Sequence, residues 1–157
     1  KIPFNDERFD IVISDNTIEH VNNLEQYVSE SRRVLKRNGI FYCYFPSRFK
    51  MIEPHVGVPL GGIINNKLYY KLCQKIGLCG KNIKSAEELI RYMEEDVYYR
   101  SDKELVQSFK QHFSDIEFKP ELILENIDRK SANYIQRMPF GTQLFGKLWS
   151  KFMVCTA

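Results

Sequence analysis

The sequence predicts an α/β fold built on a parallel strand–helix–strand unit, and three observations carry that reading. Phe9 to Ser14 is a short apolar run closed by polar residues, the pattern of a parallel strand covered on both faces. Leu24, Tyr27, Val28, Ser31, Val34 and Leu35 then follow helical spacing. Ile40 to Phe45 is a second apolar run, stopped by Pro46. Two such strands joined by one helix make a right-handed parallel crossover.

The elements have their own start and stop signals. Asn22 or Asn23 can cap the first helix, and with Asn23 as cap Gln26 falls at the third helical position. Lys36 and Arg37 suit the negative end of the helix dipole, and Asn38-Gly39 supplies a left-handed stop. Residues 47–66 hold Pro54, Pro59, Gly57, Gly61 and Gly62 without any period, which predicts a structured loop of the lid or binding kind. Three helices come next. Leu68, Leu72 and Ile76 mark the first, ended by Gly77. Ser85 with Glu88 opens the second and Ser101 with Glu104 the third, both as capping boxes. Ile116-Glu117-Phe118 starts a strand expected to run past Pro120 toward Leu124 at a sheet edge. Residues 129–150 read as a helical insertion rich in aromatic and basic side chains, and Phe152 to Ala157 as a last strand.

At 157 residues the chain fits one domain with a real core. Its 23 basic and 20 acidic residues leave a net charge of +3, too weak a bias to argue for nucleic acid. No apolar run reaches the ~20 residues of a membrane span and no signal-peptide pattern opens the chain, so cytoplasmic is the default expectation. Cys43, Cys73, Cys79 and Cys155 lack zinc-site spacing and read as reduced thiols.

Ile2-Pro3-Phe4-Asn5-Asp6-Glu7-Arg8-Phe9-Asp10 resembles the "LPF-x-D-x-x-FD" entry to the fourth strand of class I S-adenosylmethionine-dependent methyltransferases. Leu35-Lys36-Arg37-Asn38-Gly39-Ile40 resembles their "L-K-P-G-G" turn into the fifth, with Arg37 and Asn38 as departures. The order of elements is similar to the carboxy-terminal half of that fold. Its glycine-rich loop and ribose-binding acid have no counterpart in these residues. The resemblance implies the second half of a Rossmann-like methyltransferase sheet: a parallel βαβ unit, a helical insertion, then an antiparallel strand pair. Residues 1–157 form one domain in this reading, with 47–100 as an acceptor-side insertion and 129–150 between the last two strands.

The resemblance also implies S-adenosylmethionine as cofactor and methyl transfer to a hydroxyl or amine of a small metabolite or glycan, with an amino-terminal half required. Ser14, Asp15 and Asn16 then line the methionine end of the cofactor, or simply cap the turn. Glu19 and His20 match an "EH" pair that points into the acceptor pocket. His20 is either a base or a helix-start histidine bonded to backbone. Asn16 stands where a metal-binding subgroup has glutamate, so no metal is expected. In the loop, "P-x-R-F…E-P-H-x-G-x-P" resembles members acting in surface-polysaccharide or related small-molecule biosynthesis. There Arg48 would hold an anionic acceptor, Glu53 would contact it, and His55 is a second base or a loop staple. His112 reads as a packing residue. The rival expectation is a non-catalytic interaction module whose exposed strand edge, residues 9–15, pairs with a second copy.

Overall fold

Burial of alternate apolar side chains brings Phe9–Asp15 (β1) and Leu35–Pro46 (β2) together in parallel in the computed structural model, which describes residues 1–125 and 128–157. Between them lie a 3-10 turn, Ile18–His20, and helix α1, Leu24–Val34. The Asn23 side chain caps α1, accepting from the Gln26 amide at 3.0 Å as the spacing predicted. Beyond β2 come α2 (Lys67–Lys75), α3 (Ala86–Arg91) and α4 (Asp102–Phe109). A π-helical turn, Tyr92–Asp96, continues α3 directly. Strand β3 (Asp115–Phe118) is followed by α5 (Glu121–Leu124), α6 (Arg129–Arg137) and α7 (Gly141–Leu148), and β4 (Ser150–Thr156) closes the chain.

The sheet order is β1-β2-β4-β3, with β4 antiparallel to both neighbours. That is the order the resemblance implied. The main core packs α1 and α4 against the sheet. Phe41 is fully buried there, its ring 5.7 Å from Phe109 and 5.8 Å from Phe113. A second cluster, including Val56, Val58, Tyr70 and Leu89, fastens the 47–66 loop to α2 and α3.

Several expectations are corrected. β1 is an edge strand with an open face, leaving Ile11 53% and Ile13 74% exposed, rather than covered on both sides. α1 stops at Val34, because Leu35 leaves the helix to bury completely and pair with Phe9. The left-handed residue is Asn38, at φ 60°. Gly39 is needed for another reason: a Cβ there would lie 2.9 Å from the Lys36 carbonyl oxygen. β3 ends at Phe118, and Pro120 precedes a helical turn instead of lying inside a strand. Leu68, Leu72 and Ile76 face outward on α2, which buries Tyr70 and Cys73.

Ser101 and Glu104 form a reciprocal capping box. At α3 the box is half made, since the Glu88 carboxylate accepts from the Lys84 amide instead. All four cysteines are free thiols. No helix among the described residues is long and apolar enough to cross a membrane.

Candidate functional site

The carboxyl ends of β1 and β2 face the same edge of the sheet, where open α/β folds bind ligands. β1 hands over to the 3-10 turn through Asn16, whose φ of 44° reverses the chain. Thr17 donates its hydroxyl to the Asp15 carbonyl and the Asn16 amide group donates to the Asp15 carboxylate. Asp15 and Asn16 therefore stand exposed at the strand end. Ser14 is buried, and its hydroxyl accepts from Tyr27, so its side chain is already engaged.

The 3-10 turn is gripped from the far side. The Arg100 guanidinium donates to the carbonyls of Ile18, Val21 and Asn22, and the Tyr98 amide donates to the Glu19 carbonyl at 2.6 Å. This clamp was not foreseen. It spans about 80 residues of sequence, and an Arg before a capping box carries no periodic signal.

His20 and His55, separated by 35 residues, meet with their Nε2 atoms 3.2 Å apart and their rings edge to face. The opposite nitrogen of each ring is anchored. His20 Nδ1 lies 2.7 Å from the Asp96 carbonyl oxygen, and His55 Nδ1 lies 2.7 Å from a Glu53 carboxylate oxygen. Both partners can only accept, so both Nδ1 atoms carry the hydrogen. Both Nε2 lone pairs then point at each other. A proton taken up on one Nε2 can then be donated to the other.

Glu53 is 1% exposed and receives four donors. One oxygen accepts from His55 Nδ1–H and from the Tyr99 hydroxyl, each at 2.7 Å. The other accepts from the backbone amides of His55 at 2.8 Å and Val56 at 2.6 Å. Burial works to raise its carboxyl pKa, but these donors outweigh it and hold Glu53 ionised. The hydrogen bond that His55 donates to Glu53 in turn raises the His55 imidazole above its ordinary value, against a smaller opposing effect of burial.

Glu19 is 3% exposed, and neither carboxylate oxygen has a hydrogen-bond partner among the described residues. Burial raises its pKa, offset in part by its backbone contact and by the charge of His20 and His55. One carboxylate oxygen of Glu19 and the ligand nitrogens of the two histidines all lie within 4.8 Å of one another, close enough to share a proton or to converge on a cation.

Five of the eight residues singled out in the sequence thus touch or adjoin one cluster. Glu19, His20, Glu53 and His55 form it, and Arg48 lines a small recess beside Glu19. Asp15 and Asn16 stand at the adjoining strand end; Ser14 lies beneath. Tyr99, Asp96 and Arg100 complete the site from the end of the 47–100 insertion, although none of the three was singled out as a site residue.

A family model for the methyltransferase domain matches residues 1–43. The chain is similar to the S-adenosylmethionine-dependent methyltransferase of Mesorhizobium loti, at 12% identity and a TM-score of 0.56, covering 100% of this chain and 65% of that one. It is also similar to an S-adenosylmethionine-dependent methyltransferase of Thermotoga maritima, at 15% identity and a TM-score of 0.52, covering 99% and 59% respectively. The chain therefore spans less than two thirds of the length of either structure. Comparison with curated protein sequences gives no match. Sheet order, strand-end site and these likenesses agree: the chain has the fold of class I S-adenosylmethionine-dependent methyltransferases.

Proposed function

We propose that this chain is the acceptor-side part of an enzyme that methylates a hydroxyl or amine of a small metabolite or glycan. The observation that carries the proposal is the His20–His55 pair, with both Nδ1–H groups anchored and both Nε2 atoms converging at the carboxyl edge of the sheet. S-Adenosylmethionine, when bound, supplies a methyl group on a positively charged sulfur. The exposed carboxylate of Asp15 and amide of Asn16 suit the ammonium and polar atoms of its methionine portion.

His20 and His55 take the proton that leaves the acceptor as its oxygen or nitrogen bonds to the methyl carbon. The hydrogen bond that His55 donates to Glu53 makes its neutral form a stronger base than an isolated imidazole. Glu53 fixes the His55 ring and stabilises its charged form. Glu19 adds a second negative charge beside the newly formed cation. Arg48 and Glu19 contact the acceptor in this reading, and the remaining half of the cleft belongs to sequence outside these residues.

The test uses the full-length protein. Calorimetry is expected to give a saturable heat with S-adenosylmethionine, and His20→Ala is expected to preserve it while methyl transfer falls about 100- to 10,000-fold. A full-length protein that binds neither the cofactor nor its demethylated product refutes the proposal.

One observation favours a second reading. The open edge of β1, with Ile11 and Ile13 exposed, is a surface suited to strand pairing with a second copy in a protein that binds no cofactor. Sedimentation distinguishes the two: a monomer that binds cofactor excludes the pairing module.

A further inference from the structure

A cavity of about 170 Å³, many times the space one water requires, opens beside the histidine site but is separate from it. Arg48, Gly62, Tyr70, Met93 and Tyr99 line it. Two buried polar atoms on residues that line it have no partner among the described residues. The Nε of Arg48 is buried without a hydrogen bond, and among the described residues no carboxylate lies within ion-pair distance of its guanidinium. The Tyr70 hydroxyl is equally unsatisfied on a side chain that is 1% exposed.

Such groups are costly to keep. A buried guanidinium nitrogen without a partner and a stranded hydroxyl each lose their hydration with nothing in return. The surrounding backbone is shaped to maintain the arrangement. A Cβ on Gly62 would lie 2.4 Å from the Arg48 carbonyl oxygen, and one on Gly61 would lie 2.9 Å from the Glu53 Cβ. The glycine pair lets the loop close directly over Arg48 and Glu53. Burial and the nearby Glu53 charge push the Tyr70 hydroxyl up to about 12, so it stays a neutral donor. Glu53 itself does not compete for the cavity, because its four donors already occupy it.

We infer that this cavity is a subsite for an anionic group of the acceptor, a carboxylate or a phosphate, held by the Arg48 guanidinium and the Tyr70 hydroxyl. A guanidinium fork with a hydroxyl beside it matches the planar or tetrahedral oxygens of such anions. Tyr99 connects the two sites. It lines the cavity and donates to the Glu53 oxygen that also holds His55, so an acceptor anchored by its anionic end extends toward the base pair. The inference rests on the methyl-transfer reading only in calling the ligand an acceptor.

The test needs no cofactor and no turnover, so it can succeed or fail independently of methyl transfer. The Arg48 Nε–H resonance of the full-length protein is followed by NMR during titration with inorganic phosphate, and separately with acetate. Sodium chloride at matched ionic strength is the control. A saturable shift in the phosphate arm assigns a phosphate site, and one in the acetate arm a carboxylate site. Tyr70→Phe, which keeps the buried ring, is expected to weaken the same titration about ten- to a hundredfold, the worth of one hydrogen bond to a charged group. Arg48→Gln is expected to abolish protection against thermal unfolding by the same anion. Shifts no larger than those with sodium chloride, or a titration unchanged by Tyr70→Phe, overturn the inference.

Discussion

Replacing Glu53 by Gln tests the site at its most constrained point. The carboxylate uses both oxygens twice, for His55 Nδ1–H and the Tyr99 hydroxyl on one side and two backbone amides on the other. An amide has a single accepting oxygen. Whichever way it turns, two donors face an NH₂ group instead of an acceptor. At about 1–3 kcal/mol for each stranded donor, with Tyr99 free to rotate its hydroxyl, the loss of stability is about 2–4 kcal/mol. The cheapest arrangement keeps the oxygen on the buried backbone amides, so the NH₂ group meets His55 Nδ1 and forces the imidazole into the other tautomer. The assay is a pH series of imidazole ¹⁵N–¹H correlation spectra. In the wild type both rings are expected as Nδ1–H forms when neutral, with His55 titrating above the ordinary imidazole range. In Glu53→Gln, His55 is expected to switch to the Nε2–H form and its midpoint to fall. Stability changes with pH in the matching direction. A histidine that holds its proton more tightly when folded adds stability in full below the ordinary imidazole value and loses it as pH rises through the folded one. That loss is expected in the wild type and not in the variant. A wild-type ring in the Nε2–H form, or a midpoint unmoved by Glu53→Gln, refutes the reasoning.

Exhaustive dialysis against a chelator is expected to leave methyl transfer by the full-length enzyme unchanged, because the proposed base is imidazole itself and needs no cation between the two Nε2 atoms. Activity abolished by chelation and restored by zinc would instead put a cation between the rings. Phe41→Ala removes a fully buried ring from the centre of the main core, so it is expected to cost about 3–5 kcal/mol in denaturant unfolding. A loss under about 1 kcal/mol would mean that Phe109 and Phe113 close the gap. Gly62→Ala is expected to displace the loop from Arg48, read as lost protection of the 47–66 amides in hydrogen exchange while the β2 amides are unchanged. Equal protection in the two proteins contradicts the close approach.

Features carried by neighbouring residues were legible in the sequence. Asn23 with Gln26, Ser101 with Glu104 and the apolar run Ile40 to Phe45 each declare themselves within a few positions; both caps form as read, and the run lies in β2, which starts five residues earlier at Leu35. His20 and His55 were both picked out, because an ionisable residue at a strand end or in a proline- and glycine-rich loop is legible by type. Their contact was not. It depends on how the 47–66 loop folds over the strand ends, and that is decided by Val56 and Val58 packing against Tyr70 and Leu89. The α1 boundary was missed for a similar reason. Nothing local distinguishes Leu35 from another helical residue; its complete burial against β1 pulls it out.

The π-helical turn at Tyr92–Asp96 has a consequence for how this site can be lost. A π turn carries one residue more than the α turn it replaces, and such insertions recur at functional sites. Here that residue brings the Asp96 carbonyl to His20. Deleting any single residue from the turn would restore regular α-helix and swing the chain beyond it by about 100° around the axis. His20 would lose the anchor that sets its tautomer, and Tyr99 and Arg100, which follow the turn, would be drawn from Glu53 and the 3-10 turn. A one-residue length change far from either histidine in sequence is thus a way for such a chain to part with its chemistry.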